Sequence, residues 1–245
     1  MTVSKAIKGL GMTDLKTIKR DSFLGYLIIL PIVYALLIRW LTPLAADAFV
    51  NFFDLTLYYP LIVSFVIVVI TPMLMGTAIG FLLLDERDER TLTALLVTPL
   101  PLTVYLVYRI AIPTILSVIL TLINIPIAGL VDFPFWSVVA IALVAALSAP
   151  IVALFFFCFA ENKVQGFGLL KAIGTVGFLI PIAAYFIPEP WQYGMGIFPH
   201  YWVAKTVWIL GAGETGFWLY WLVGLAVNLV TLKLFVDRFE QIAYR

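Results

Sequence analysis

The sequence predicts an all-α, polytopic membrane protein with six transmembrane helices, an N-terminal amphipathic helix at the membrane interface and both termini in the cytoplasm. Hydrophobic residues make up 63% of its 245 residues and charged residues only 12%, whereas soluble domains carry about 25% charge. The mean hydropathy is accordingly high, at +1.09. This length fits one compact domain over 1–245, and a net charge of +1 gives no sign of nucleic-acid binding.

Six apolar runs define the predicted spans, because a transmembrane helix needs about 20 mostly apolar residues. The fifth run is the shortest, and only the segment VDFPF separates the third from the fourth. The runs lie at 22–41, 60–84, 104–130, 136–160, 172–187 and 216–236.

The orientation follows from Lys and Arg, which accumulate on the cytoplasmic side of a bilayer. This rule places the N-terminal segment, the second-to-third and fourth-to-fifth connections and the C-terminus in the cytoplasm. Only Arg39 and Lys205 fall on the other side. An even number of spans agrees with two cytoplasmic termini.

The leader, residues 1–21, has the pattern of an interfacial amphipathic helix. Its two faces differ in polarity: Ile7, Leu10, Leu15 and Ile18 lie on one, and Lys5, Lys8, Lys16 and Lys19 on the other. Gly9 and Gly11 are expected to break the helix early, with Thr13 or Asp14 capping a second helical segment after the break. A basic tail that only sets the topology is the alternative.

Intramembrane chemistry has little support in the sequence. All fourteen acidic residues fall in predicted loops or at span ends, which disfavours a proton-coupled carrier, since such proteins usually bury carboxylates. The single histidine, His200, lies in a predicted outer loop without a metal-ligand motif, and the single cysteine, Cys158, excludes a disulfide within the chain. No metal site and no catalytic residue are predicted.

Two glycine patterns need an interpretation. GAGETG at 211–216 matches the dinucleotide fingerprint, but it follows no strand, so we interpret it as the turn into the sixth span. Gly76 and Gly80 are four residues apart, a spacing that lets two helices approach closely. Packing within the chain and a dimer interface both remain open for this pair.

The outer connection at 188–215 is much longer than the others and rich in aromatic residues, which suit the headgroup layer. Its segment YWVAKTVWIL is too short to span a membrane. We expect a re-entrant or interfacial segment that lies along or dips into the outer leaflet, with Lys205 reaching the headgroups. An ordered outer cap without a direct function is the alternative.

The cytoplasmic segment at 85–103 begins with six consecutive charged residues. Leu92, Leu95 and Leu96 recur at helical spacing, and Pro99 and Pro101 come after them, which predicts a short helix. Glu86 and Arg90 can pair across one turn, for about 0.2–0.5 kcal/mol. Exposed charges of this kind add little stability, so a solvated loop is the alternative to a functional one.

The pattern E-R-D-E-x-T…L-L-x-x-P, with a basic residue ten positions after the proline, resembles the first cytoplasmic loop of type-2 ATP-binding-cassette (ABC) permeases, the membrane subunits of bacterial exporters. Two positions depart from it: Arg90 replaces the usual glycine, and Thr93 replaces the usual acid. The matching residues are Glu86, Arg87, Asp88, Thr91, Leu95, Leu96, Pro99 and Arg109. The general layout is also similar, and it favours the antibiotic-exporting branch, which includes fluoroquinolone exporters.

This resemblance implies that the segment is a coupling helix, which docks on a separate ATPase subunit. The implied coupling residues are Glu86, Arg87, Asp88, Glu89, Arg90, Thr91, Leu95, Leu96 and Pro99. The chain contains no Gly-Lys dipeptide and hence no phosphate-binding Walker A loop. The chain is thus expected not to be an enzyme, with ATP and Mg²⁺ on the partner ATPase and a second permease copy or a sister permease beside it.

The substrate is expected to be hydrophobic or amphiphilic, such as a drug, an antibiotic or a lipid, moved outward across a prokaryotic cell membrane. The predicted spans carry many aromatic residues, most of them expected to face lipid, and few uncharged polar ones. Candidate gate or pathway residues are Arg109, which can also reach the cytoplasmic interface beside Tyr105 and Tyr108, and Asn124 and Asn228. A non-transporting scaffold and an ion-coupled carrier are the alternative functions.

Overall fold

The computed structural model describes residues 3–89 and 101–243, apart from the side chains of 3–6, 173, 175–178 and 181. Regular structure within these ranges is helical, which confirms the all-α class. A 3₁₀ segment, Trp191–Ile197, precedes α7, and α5 has a break at Leu147. The helices are α1 Val3–Arg20, α2 Ser22–Phe49, α3 Leu55–Asp88, α4 Leu102–Ala128, α5 Phe135–Phe159, α6 Lys163–Phe186, α7 Pro199–Gly211 and α8 Phe217–Ala243.

Five of these helices, α2, α3, α4, α5 and α8, are long and apolar enough to cross a membrane. They coincide with five of the six predicted runs, and α2 and α8 extend well beyond the predicted ends. The remaining run, 172–187, lies in the 24-residue helix α6, which is not among the five. The protein is therefore polytopic, while the count of six spans and the cytoplasmic termini stay predictions.

Helices α3 and α5 form the centre of the bundle. In the apolar 18-residue stretch of each helix, 78% of the residues are buried in α3 and α5, against 33% in α2 and α4 and 11% in α8. The two central helices touch at Gly76 and Gly80: a Cβ at Gly76 would lie 2.3 Å from the Ala149 carbonyl oxygen, and one at Gly80 2.8 Å from the Phe156 ring. The glycine pair thus serves packing within the chain.

Several aromatic residues of the spans are core residues. Phe81, Phe156 and Phe157 are at most 1% exposed, so the expectation that most aromatic residues face lipid is wrong for them. Phe81 contacts the rings of both Phe23 and Phe156, because the glycines of α3 bring the helices close enough for these rings to interlock. Trp218, in contrast, is 60% exposed.

The leader forms one helix, α1, that continues through both glycines, so the predicted early break is wrong. Leu10 and Ile18 pack against the central core. Such tertiary packing outweighs the cost of about 1 kcal/mol for a glycine within a helix. Asp14 is consequently a mid-helix residue and not a cap.

The outer connection places α7 among the other helices, where it dips into the bundle and does not lie on its surface. Lys205 is 6% exposed, and its Nζ donates to Glu189 Oε1 at 2.5 Å and to Gln192 Oε1 at 3.3 Å. The expectation that Lys205 reaches the headgroups is therefore wrong, because its ammonium group pairs with Glu189 of the same connection. His200, expected in a loop, is the second residue of α7, and burial lowers its pKa to about 4.

The glycine-rich hexapeptide after α7 forms the predicted turn. Gly213 and Gly216 have φ values of +69° and +112°, a region that L-residues with a side chain rarely adopt. The chain then enters α8 at Phe217.

Candidate coupling site

The end of α3 meets α1 and the start of α4 at a buried group of charged and tyrosine side chains. We call it the Arg109 cluster, and it comprises Asp14, Glu86, Tyr105, Tyr108 and Arg109. Arg109 Nη1 donates to Asp14 Oδ2 at 2.8 Å, and Nη2 donates to Asp14 Oδ1 at 3.2 Å. Nη2 also donates to Glu86 Oε1. One guanidinium thus connects three helices.

The two tyrosines complete the hydrogen bonding of this cluster. The Tyr108 hydroxyl donates to Asp14 Oδ2 at 2.7 Å, and the Tyr105 hydroxyl donates to Glu86 Oε2. Arg109 Nε donates to the Tyr105 hydroxyl at 3.2 Å. Both rings lie against the guanidinium, with centroids 5.3 and 5.4 Å from Arg109 Cζ, which is a favourable position for a cation.

The cluster is shielded from solvent. The exposed fraction of the side chain is 1% for Arg109, 10% for Asp14 and 16% for Glu86. Arg109 was expected to be able to reach the cytoplasmic interface, but its side chain is buried and paired with Asp14 and Glu86. A buried charge requires a partner, and the leader and α3 each supply a carboxylate. The adjacent tyrosines were expected beside Arg109 and do lie there.

A second ionic contact connects α3 with α6 and with the junction between α1 and α2. Lys163 Nζ lies 2.7 Å from Asp21 Oδ2 and 3.0 Å from Asp85 Oδ2. Asp21 also caps α2, since its Oδ1 accepts a hydrogen bond from the Phe23 N–H at 2.9 Å. The hydrogen bond from Lys163 lowers the pKa of the Asp21 carboxyl.

Arg87 connects α3 with the end of α5. Its Nη1 donates to the carbonyl oxygens of Phe157 at 3.1 Å and Ala160 at 3.0 Å. The guanidinium carbon lies 5.3 Å from the centroid of the Phe157 ring. A cation in this position satisfies carbonyls that have no helical partner and interacts favourably with the helix dipole.

Consecutive residues at the end of α3 therefore contact different neighbours. Asp85 binds Lys163, Glu86 binds Arg109, Arg87 binds α5, and Asp88 Oδ2 accepts from the Lys163 backbone N–H at 3.2 Å. The expectation that these charges are exposed and contribute little is wrong for Glu86 and Arg87, because they are the last turn of a span and not part of a separate helix. Asp88 and Glu89 are exposed.

The rest of the predicted coupling helix lies outside the described residues. This holds for Arg90, Thr91, Leu95, Leu96 and Pro99. The expected pairing of Glu86 with Arg90 also falls outside the described residues and stays a prediction, while Glu86 contacts Arg109 within them.

The three candidate pathway residues do not form one site. Arg109 belongs to the cluster above. Asn228 Nδ2 donates to the Gly224 carbonyl at 2.8 Å, and Asn228 Oδ1 accepts from the Ser148 hydroxyl at 3.2 Å, so this residue joins α8 to α5. Asn124 is buried on α4, and neither of its side-chain polar atoms has a partner within the described ranges.

Sequence reasoning considered Asp14 only as a helix cap and did not include Asp14, Asp21 or Lys163 in the candidate site. One signal was available: Arg109 lies inside an apolar run, and an arginine there needs a carboxylate. Glu86 and Asp14 are acids at the ends of segments predicted to meet at the same membrane face. The sequence gives no indication of which acid would come close.

Comparisons with known proteins are consistent across nearly the whole chain. The family model described as fluoroquinolones export permease protein Rv2686c-like matches residues 14–236. Two relatives from Mycobacterium tuberculosis, the fluoroquinolones export permease proteins Rv2686c of strain H37Rv and MT2760 of strain CDC 1551, are each 34% identical over 240 residues. The alignments cover 96% of this chain and 94% of each relative. The matched range includes the whole Arg109 cluster.

Proposed function

Since the chain belongs to the Rv2686c-like family of fluoroquinolone export permeases, we propose that it is the membrane subunit of an ABC exporter driven by a separate ATPase. The family makes it an export permease and a multi-pass protein of a prokaryotic cell membrane. The energy source, the docking surface and the class of substrate go beyond what family membership gives. The ATPase docks on the segment between α3 and α4, and the substrate is amphiphilic, as the names of the relatives indicate for them.

The observation that carries this proposal is the set of contacts made by the last turn of α3. Residues 85–88 contact α4, α6 and the end of α5 directly, and they reach α1 through Arg109, which pairs with Asp14. A force applied to the segment after α3 is therefore passed to four neighbouring elements. A solvated loop with no role in transmission would not need such contacts.

The geometry of these contacts, and the free energy needed to break them, suit them to transmit a movement of α3 to its neighbours. Arg109 makes a bidentate contact with Asp14, and such pairs are geometrically specific. Removing one partner of a buried ion pair typically costs about 3–5 kcal/mol, so the cluster resists opening. Helix α3 is also one of the two central helices, so its displacement would affect the whole bundle.

ATP must be hydrolysed by a separate ATPase subunit if this chain is the membrane subunit of an ABC exporter. The chain has no Gly-Lys dipeptide, and a Walker A loop requires one. ATP and Mg²⁺ would then bind the partner ATPase. A second permease, either another copy or a sister chain, would complete the exporter.

The test uses exposed charge at the docking surface. In membranes containing the permease and its cognate ATPase, Glu89→Lys should reduce co-purification of the ATPase and drug-stimulated ATP hydrolysis at least about tenfold, because a like charge opposes a basic partner surface. The purified chain alone should not hydrolyse ATP. Glu89 is exposed, so the thermal midpoint of the permease should stay unchanged.

The matched control is Glu214→Lys, the same charge change at an exposed residue just before α8, at the opposite end of that helix from the C-terminus. It should leave both readouts at wild-type level. Normal docking and normal coupled hydrolysis in Glu89→Lys would refute this docking surface. Drug transport that follows a proton gradient without any ATPase would favour the ion-coupled carrier, and no transport under either condition would favour the scaffold.

A further inference from the structure

One face of α4 carries a row of polar side chains that the fold leaves unpaired. Ser117, Thr121 and Asn124 are spaced at i, i+4 and i+7, so they lie on the same side of the helix. Each is 0% exposed. No hydrogen-bond partner exists for their side chains within 3–89 and 101–243. Thr71 on α3 is in the same condition. We call Ser117, Thr121 and Asn124 the α4 polar row.

Several other buried polar side chains of the bundle are satisfied. The Ser64 hydroxyl accepts a hydrogen bond from Trp208 Nε1 at 2.7 Å, and the Ser148 hydroxyl donates to Asn228. Thr77 on α3 donates to the carbonyl four residues earlier at 2.7 Å. That local bond is the usual solution for a hydroxyl in an apolar helix, and Ser117 and Thr121 do not adopt it. Apart from His200 Nε2, the unpaired buried side-chain atoms of the described ranges lie on α3 and α4.

Unpaired polar groups are unfavourable in this environment. Within a membrane there is no bulk water to form hydrogen bonds with these groups. An apolar side chain of similar size would therefore stabilise the protein better. Polar residues inside spans commonly mark the path of a substrate or an ion. The α4 polar row carries no charge, so it fits hydrogen-bonding groups of a neutral or amphiphilic molecule better than an ion.

An apolar groove borders α4 and ends next to this row, at Leu116. The groove is a cavity of about 740 Å³ between α1, α2, α3 and α4, and its walls include Leu15, Met75, Ile112 and Leu116. Leu116 directly precedes Ser117, so the groove reaches the start of the row, and Thr121 and Asn124 continue along α4 beyond it. Leu15 is 60% exposed, which leaves the groove open towards the side of the bundle.

We propose that the seam between α3 and α4 is a binding site for the amphiphilic substrate, with its apolar part in the groove and its polar groups bound to the α4 polar row. The row is closed in this structure, and it becomes accessible when α3 and α4 separate. The contact between Glu86 and Arg109 joins these same two helices at one end, so a movement of the coupling residues acts directly on the seam. The identity of the substrate class rests on the proposed export function, whereas the position of the site does not.

The first test compares isosteric changes in paired and unpaired side chains. Thr121→Val and Asn124→Leu should weaken the apparent affinity for the fluoroquinolone norfloxacin in stimulated ATP hydrolysis by about three- to tenfold, as expected for one lost hydrogen bond. Their thermal midpoints should stay equal or rise, because a buried unpaired group is removed. Thr77→Val, which removes a satisfied hydroxyl, should leave the affinity unchanged. An unchanged affinity in both α4 variants, or a lowered midpoint, would overturn the proposal.

The second test needs no ATPase and so separates this inference from the export proposal. In a Cys158→Ala background, the reconstituted Asn124→Cys variant should react with a small methanethiosulfonate reagent, and norfloxacin should slow the reaction. The control is Ser148→Cys, at a residue that is similarly buried but has a hydrogen-bond partner; it should remain unreactive. An Asn124→Cys variant as inert as the control, or a reaction that norfloxacin does not slow, would reject the site.

Discussion

Arg109 and Asp14 form a bidentate ion pair across 95 positions of the sequence, with Nη1 2.8 Å from Oδ2 and Nη2 3.2 Å from Oδ1. Asp14 lies on the leader helix and Arg109 on α4. The leader is therefore bound to the bundle by a specific contact in addition to its apolar face. Its role extends beyond attraction to the membrane surface.

Removing the cation of this cluster should be severe. Arg109→Met leaves two buried carboxylates without a cation, so we expect a loss of about 3–5 kcal/mol, visible as a large drop in the thermal midpoint of the purified protein. Arg39→Met is the control, because Arg39 is exposed and donates to the Ile127 carbonyl at 2.9 Å; a loss of about 1 kcal/mol is expected there. Equal small effects would show that the cluster contributes no more than a surface contact.

The contact between the two central helices should not tolerate a methyl group. Gly76→Ala places a Cβ against the Ala149 carbonyl oxygen at 2.3 Å, and backbone cannot move away easily, so a loss of about 1–3 kcal/mol is expected. Gly168→Ala on α6 has no atom within 4 Å of the new Cβ, so it should be neutral or slightly stabilising. Thermal unfolding in detergent compares the two, and an unaffected Gly76→Ala would contradict the close approach.

The orientation can be tested by labelling exposed positions at opposite ends of the bundle. In a Cys158→Ala background, which lacks the only cysteine, Glu214→Cys should react with an impermeant thiol reagent on intact cells. Glu89→Cys should react only after permeabilisation, since the Lys and Arg distribution places it inside. His200 is a poor probe because its Nε2 is buried. The reverse pattern of labelling would invert the topology.

The contact between Asp21 and Lys163 should make stability depend on pH in the acid range. The pKa of Asp21 is lower in the folded protein than its ordinary value of 3.8. Such a carboxyl contributes stability above the unfolded pKa, and this contribution disappears as the pH falls through the folded pKa. As the pH is lowered through the ordinary value of 3.8 and further into the acid range, the thermal midpoint of Asp21→Asn should therefore fall less than that of wild type.

Asn at position 21 can still accept the hydrogen bond that caps α2, so the variant isolates the charge from the cap. Lys163→Met removes the cation that pairs with Asp21, so its thermal midpoint should also fall less at acid pH than that of wild type. Parallel curves for wild type and both variants would mean that Lys163 does not hold the carboxylate in solution.

Hydropathy and length predicted most of the fold. Five of the predicted runs became long helices, because the requirement for apolar residues is local and can be counted along the chain. The continuity of α1 and the burial of α7 were not predictable in this way. Both depend on packing: Leu10 and Ile18 hold α1 to the core through two glycines, and α7 is enclosed although it is too short to span.

The candidate site was predicted only in part. The charged segment at 85–88 and Arg109 were identified, but the segment was expected at an exposed docking surface and its contact with Arg109 was not foreseen, because the burial of a charged residue cannot be read from the sequence. Which acid meets which base is decided by how α1, α3 and α4 approach one another. The sequence could indicate that Arg109 needs a partner, but it could not select Asp14 and Glu86.

The separation of Asp14 and Arg109 also constrains biosynthesis. Asp14 leaves the ribosome 95 residues before its arginine partner, and two hydrophobic helices are inserted in between. Asp14 has therefore already been synthesised when Arg109 enters the membrane, so the leader can supply its carboxylate during insertion. A chain that lost its leader would have to insert α4 with less compensation for this cation, and charged side chains within spans are unfavourable. Helix α1 is thus expected to favour the insertion of α4.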